Sequence, residues 1–123
     1  MKKDITERVI SYEDACAYLK KEPVNEAALL TAGATPKQIA GIKLEDITLA
    51  LNENKPIDIY NGQRRWFPVF WSNGGPSAFA FWYSACAYAI ATAGSGSRLS
   101  YHEERISDYS GTHFRSLWQE YLS

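Results

Sequence analysis

Arginine and aromatic residues occur together in the middle of the chain and again just before its last segment. The residues concerned are Arg64, Arg65, Trp66, Phe67, Arg98 and Tyr101. Proteins hold single-stranded nucleic acid with such a set, because arginine contacts phosphate while bases stack on the rings. The alternative is that the rings belong to the core and the arginines are solvated charges of a hairpin. Both interpretations stay open, and the six residues are our candidate binding site.

The two histidines, His102 and His113, are the next residues that could do chemistry. With Asp108 and nearby serines they suggest a triad, but no serine has the surroundings of a nucleophile elbow. His102, His113 and Glu103 also lack the spacing of zinc ligands. We expect His113 to be a hydrogen-bonded core histidine. The sequence therefore predicts no catalytic residue, no metal site and no cofactor, and indicates that the protein is not an enzyme.

The segment GSGSR at residues 94–98 resembles a phosphate-binding loop in composition only. Such loops follow a strand and open a helix, whereas this one joins two predicted strands and lacks the lysine. We interpret it as a hairpin turn.

Two cysteines, Cys16 and Cys86, lie far apart among alanines and aromatic residues. Unpaired cysteine is among the most buried residue types, and one possible pair is weak evidence for a disulfide. We expect both thiols to be buried and reduced.

The composition is that of an ordinary globular domain. The chain has 123 residues, of which 46% are hydrophobic and 22% charged, and its net charge is −1. We therefore expect a single domain over residues 1–123 and no overall field that attracts nucleic acid or anionic membranes. The first ten residues carry charge but no apolar run, so we expect no secretory signal. The uncharged run at 78–93 is too short to span a bilayer as a helix and indicates a buried strand.

The N-terminal half is predicted to be helical, and the middle of the chain is predicted to form strands. Helices are predicted over residues 11–21, 26–30 and 36–53, with Ser11 and Thr35 as caps and Asn54 as a left-handed stop. Strands are predicted at 57–60, 65–71, from 79 onward and at 98–101, with a hairpin at Asn61-Gly62. Pro68 indicates an edge position or a bulge, because proline cannot donate to the ladder.

Alternation in the strand after residue 78 places Phe79, Phe81 and Tyr83 on one face and Trp82 on the other. Residues 103–121 are predicted to form one final helix, in which Gly111 allows a close approach to the sheet. The predicted fold class is α+β: N-terminal helices, a three- to four-stranded antiparallel meander, and a C-terminal helix packed on the sheet.

Several short segments are spread along the whole chain in a specific order and spacing: ITERVISYEDAC at 5–16, ALNE at 50–53, WFPVF at 66–70, FAF at 79–81, GSRL at 96–99 and YSG at 109–111, with Phe114 and Leu117. In these segments the chain resembles a family of small uncharacterised proteins from gut Bacteroidetes, their phages and other mobile elements. The resemblance implies a shared fold and a phage or prophage setting, and it transfers no catalytic residue. This chain departs from the family at residues 84–93, which are mostly alanine here.

Taken together, these observations predict a non-enzymatic accessory protein of phage or mobile-element origin. We expect it to act by protein–protein binding or assembly, in the cytoplasm of a bacterial host or in the virion. Single-stranded nucleic-acid binding is the alternative, and an enzyme with an unrecognised site is the least supported one. The alanine-rich segment at 85–91, with nearby Trp82 or Trp71, is the predicted contact for self-association. No membrane partner is expected.

Overall fold

The first half of the chain is helical. The computed structural model describes residues 3–58, 64–72, 75–87 and 99–123. Four helices come before the sheet: α1 (Ile5–Arg8), α2 (Tyr12–Leu19), α3 (Glu26–Thr31) and α4 (Pro36–Leu51). In the described part of the chain, no helix is both long enough and apolar enough to cross a membrane.

Side-chain caps fix where the predicted helices begin. The Ser11 hydroxyl accepts a hydrogen bond from the Asp14 amide at 3.1 Å. Thr35 and Gln38 form a reciprocal capping box, with bonds of 3.2 and 2.8 Å. These caps satisfy amides that have no partner inside the helix, so both predicted helix starts are confirmed. Asn54, at φ 61°, is the predicted left-handed residue after α4.

A two-stranded antiparallel sheet follows. It pairs β1 (Arg65–Trp71) with β2 (Ala80–Ala87), and a 3₁₀ helix at Pro76–Ala78 lies between them. The predicted mixture of helices and antiparallel sheet is confirmed. The three- to four-stranded meander stays a prediction. Of its remaining strands at 57–60 and 98–101, residues 59, 60 and 98 lie outside the described residues, as do the predicted turns at 61–62 and 94–97. Among residues 99–101, only Tyr101 pairs, in an isolated bridge to Trp66. Ile57 and Asp58, which are described, are not in a strand.

The sheet contains a bulge on β2, whereas the sequence offered a bulge only at Pro68 of β1. Val69 pairs with Tyr83 and Phe70 pairs with Phe81, so Trp82 is the extra residue on β2. One extra residue reverses the alternation of side chains beyond it. Tyr83 therefore lies on the opposite face from Phe81, and the predicted common face for Phe79, Phe81 and Tyr83 is wrong for Tyr83.

The C-terminal segment forms two helices and not one. These are α5 (Glu104–His113) and α6 (Arg115–Leu122), separated at Phe114, where ψ is 29°. Helix α5 packs on both strands. A Cβ added at Gly111 would lie 2.8 Å from Pro68 Cβ and closer still to the Phe81 ring. The predicted close approach at Gly111 is confirmed.

The core lies around α4, which packs against α2 and α6. Leu44, Ile47 and Leu51 recur at helical spacing and are buried. Burying each such side chain contributes about 1.5–3 kcal/mol. Their neighbours in the core are Ile5, Val9, Tyr12, Ala15, Cys16, Ala50, Phe79, Leu99, Tyr101, Ile106, Phe114 and Trp118.

Polar groups inside this core bond to one another. The Tyr101 hydroxyl lies 2.9 Å from Thr48 Oγ1 and 2.6 Å from Ser110 Oγ. The Trp118 indole N–H donates to the same Ser110 hydroxyl at 3.0 Å. The network joins α4, α5 and α6 to the segment that borders β1, and it leaves these buried groups hydrogen-bonded.

Candidate binding surface

The structure brings two of the six predicted binding residues together at the surface. Arg64 is exposed, and its guanidinium carbon lies 5.7 Å from the centroid of the Trp66 ring. This distance permits a cation–π contact. Trp66 itself is half-buried, and its backbone pairs with Tyr101. Arg64 and Trp66 are thus the part of the predicted site that a ligand can reach together.

The other predicted residues are placed differently. Arg65 is only 4% exposed, and Tyr101 is fully buried within the core network. Burial raises the pKa of Tyr101 to about 12, because the charged phenolate is poorly solvated there. Phe67 is half-buried, and by strand alternation it lies on the opposite face from Trp66. Arg98 lies outside the described residues.

A second group of aromatic side chains is more exposed than the predicted site. Trp71, Trp82 and Tyr83 are 47%, 57% and 46% exposed, and we call them the outer cluster. The rings of Trp71 and Trp82 have centroids 5.3 Å apart, and those of Trp82 and Tyr83 are 4.9 Å apart. Both pairs meet nearly at right angles, which is a favourable edge-to-face geometry.

The bulge explains how the outer cluster forms. Pro68 faces α5, because its ring carbon lies close to Gly111, so alternation places Val69 and Trp71 on the other face. Tyr83 pairs with Val69 and therefore shares this face, with the extra residue Trp82 beside it. The sequence named Trp71 and Trp82 as contact residues. It missed Tyr83, because the register of the bulge has no clear signal in the sequence.

The face toward α5 holds a small polar cluster. The Ser84 hydroxyl donates to Asp108 Oδ1 at 2.6 Å and lies 2.8 Å from Ser107 Oγ. A serine becomes a nucleophile when an adjacent general base, most often a histidine, takes its proton. The His113 ring instead bonds through Nε2 to the Ile10 carbonyl at 2.7 Å.

The structure also corrects the predicted environment of His113. The residue is exposed, and its ring stacks on Tyr109 with centroids 4.9 Å apart. The prediction of a core histidine is wrong, because the break at Phe114 ends α5 at His113 and buries Phe114 in place of the histidine. Among the described residues, no three potential metal ligands lie close enough to hold an ion.

The two thiols differ in their exposure to solvent. Cys16 is buried, as predicted, but Cys86 is exposed, so the prediction of two buried thiols is wrong for Cys86. The alanines around Cys86 suggested burial, yet small side chains in a strand do not themselves supply a covering layer.

Comparisons of the chain with protein-family models, with curated proteins and with solved structures found no match. The resemblance to proteins of Bacteroidetes phages and mobile elements therefore stays a prediction.

Proposed function

We propose that the chain is a non-enzymatic binding module that acts through protein–protein contact or assembly. The observation that carries this proposal is the outer cluster, in which three large rings are each about half exposed. Tryptophan and tyrosine are the residue types that most often dominate the energy of protein interfaces. The setting in a phage or mobile element, in the host cytoplasm or in the virion, is part of the proposal and is supported by the resemblance.

The exposed area of the outer cluster is large enough to matter. A fully buried aromatic side chain covers about 150–250 Å², so three half-exposed rings leave roughly 300 Å² in water. At about 25 cal/mol per Å², covering that area would contribute on the order of 7 kcal/mol before the cost of association. Covering these rings with another protein surface would recover this energy.

A second copy of the chain is the first partner to test. Trp71, Trp82 and Tyr83 are uncharged, so a symmetric contact that places the cluster against itself brings no like charges together. Two clusters would bury about 600 Å², well below the ~1,600 Å² of a standard interface. We therefore expect weak self-association, with a dissociation constant between about 1 μM and 1 mM.

Light scattering over a range of protein concentrations tests this proposal. The mass of the wild-type protein should rise across the range from about 10 μM to 1 mM. Trp82→Ser should lower that mass toward a monomer, whereas Leu30→Ser should not. Leu30 is a matched control because it is 50% exposed, compared with 57% for Trp82, and lies on α3. A strict monomer at all concentrations would contradict the self-association.

Single-stranded nucleic-acid binding is the second candidate. It is supported by Arg64 beside the half-buried Trp66 ring. Against it, Arg65 is buried, and the outer cluster contains no basic residue that could contact phosphate. Retention on single-stranded DNA at low salt that disappears at high salt would favour this candidate, because phosphate contacts weaken steeply with salt. Arg64→Gln should then reduce retention, with Arg8→Gln as a control on another surface.

A further inference from the structure

Strand β1 has two edges, and only part of the second edge is paired within the described residues. One edge bonds to β2. On the other, the Trp66 amide donates to the Tyr101 carbonyl at 2.8 Å and the Tyr101 amide donates to the Trp66 carbonyl at 2.7 Å. On one side of Tyr101, the Ser100 carbonyl accepts a hydrogen bond from the Asn52 side-chain amide at 3.0 Å. On the other side, the chain enters α5 at Glu104. The pairing at this edge is therefore a single bridge.

The next backbone groups along this edge follow from strand geometry. Backbone N–H and C=O groups point to alternate edges at successive residues. Since those of Trp66 point toward Tyr101, those of Phe70 point toward the same edge, as does the carbonyl of Pro68. Pro68 has no N–H, which is the reason that a proline is tolerated there. Among the described residues, no backbone hydrogen bond is formed at this edge beyond the Trp66–Tyr101 bridge.

A groove of about 470 Å³ runs beside this part of β1. Gln119 and Leu122 of α6 line it together with Pro68, Phe70 and Pro76. The Gln119 side-chain amide donates to the Pro76 carbonyl at 2.9 Å, which links Pro76 to α6. Leu122 is 53% exposed and presents apolar surface. The described residues that line the groove have no ionisable side chain.

We propose that this groove binds an extended segment of another polypeptide as a strand added to β1. An extended segment is the occupant that continues the pattern begun by Tyr101, because a strand offers backbone donors and acceptors in the same alternation. Its side chains that face Leu122 should be apolar and uncharged, because a charge buried there would have no partner. This site is separate from the outer cluster and goes beyond the function proposed above.

Selection of displayed random heptapeptides on the immobilised full-length protein tests the proposal. The enriched peptides should alternate apolar residues and should lack charge and proline in their central positions. A synthetic copy of the most enriched peptide should shift the amide resonance of Phe70 and slow its hydrogen exchange. Two N-methylated peptides should be compared, one methylated at the odd and one at the even positions. Only one of them should lose binding, because the amides of only one of these two sets face β1.

Matched variants locate the peptide. Leu122→Lys should weaken peptide binding by about tenfold or more, whereas Leu30→Lys should leave it within about twofold. These residues are 53% and 50% exposed, so neither change should unfold the protein. Trp82→Ser should bind the peptide as the wild type does, even if it loses self-association. Failure of the groove and failure of the outer cluster are thus distinguishable.

Three results would overturn the proposal. The first is a selection that enriches no alternating peptide. The second is a peptide that no longer binds the Trp82→Ser variant but still binds the Leu122→Lys variant, which would place the peptide on the outer cluster. The third is a dimer of the protein that the peptide dissociates and Leu122→Lys prevents, which would make a second copy the occupant.

Discussion

The two faces of the β1–β2 hairpin carry similar side chains in different surroundings. On the face toward α5, Pro68 and Phe81 approach the Gly111 backbone and Ser84 bonds to Asp108. On the other face, Trp82 contacts two further rings and remains 57% exposed. The covered face therefore stabilises the fold through packing and satisfied hydrogen bonds. The open face leaves apolar area in water that folding does not bury.

The largest expected contrast between a buried and an exposed position is between the two thiols. In the native protein a thiol reagent should label Cys86 rapidly and Cys16 at least about 5,000-fold more slowly, because Cys16 is reached only by unfolding that costs at least about 5 kcal/mol. Mass spectrometry of the labelled protein over time measures both rates. In denaturant the two rates should converge, and similar rates in the native state would contradict the burial of Cys16.

Tyr101→Phe tests the covered network that borders β1. Removal of the hydroxyl takes a partner from Thr48 and Ser110, and we expect the free energy of unfolding to fall by about 2 kcal/mol. Urea denaturation measures the loss. Tyr83→Phe is the matched control on the open face and should change stability by less than about 0.5 kcal/mol.

The difference in stability between the wild type and Tyr101→Phe should depend on pH. The pKa of Tyr101 is raised by burial from 10.0 to about 12. The unfolded state therefore ionises first, and the wild type loses stability as pH rises from 10 toward 12. Tyr101→Phe lacks this loss, so the difference between the two proteins should shrink over that range. A constant difference would contradict the burial of the hydroxyl.

Gly111→Ala tests the close approach of α5 by the sign of its effect. Helix propensity alone would stabilise the variant by about 1 kcal/mol. The new Cβ would instead crowd Pro68 and Phe81, and overpacking costs about 1–3 kcal/mol, so we expect a net loss of about 1 kcal/mol. Thr112→Ala, at the exposed neighbouring position, should be neutral or stabilising. A Gly111→Ala protein that is more stable than the wild type would show that the sheet shifts to accommodate the new Cβ.

Local signals in the sequence predicted where α2 and α4 begin, but not α1 or the division of the last helix. The caps at Ser11 and Thr35 are interactions over three residues, so their pattern is visible in the sequence. The close approach at Gly111 was also readable, because glycine is unfavourable inside a helix without a packing reason. The break at Phe114 was not, since the apolar stripe continues through it and tertiary packing decides where α5 ends.

The candidate surface was less predictable, because exposure depends on which residues of the sheet are covered by neighbouring segments, and the face of the sheet alone does not decide it. The predicted residues Arg65 and Tyr101 are inside, although arginine and tyrosine next to strands suggest a surface. Tyr83 reaches the open face only because of the bulge at Trp82. A one-residue change of register has no local cost that composition reveals, and it moves every later side chain to the opposite face.

The indole N–H resonances of the four tryptophans test the central claim most directly, in a single sample. As protein concentration rises from about 20 μM to about 1 mM, the range of weak association, the signals of Trp71 and Trp82 should shift. The signal of Trp118 should stay in place, because its N–H is buried and bonded to Ser110. Stationary signals of Trp71 and Trp82, or an equal shift of Trp118, would contradict a binding role for the outer cluster in self-association.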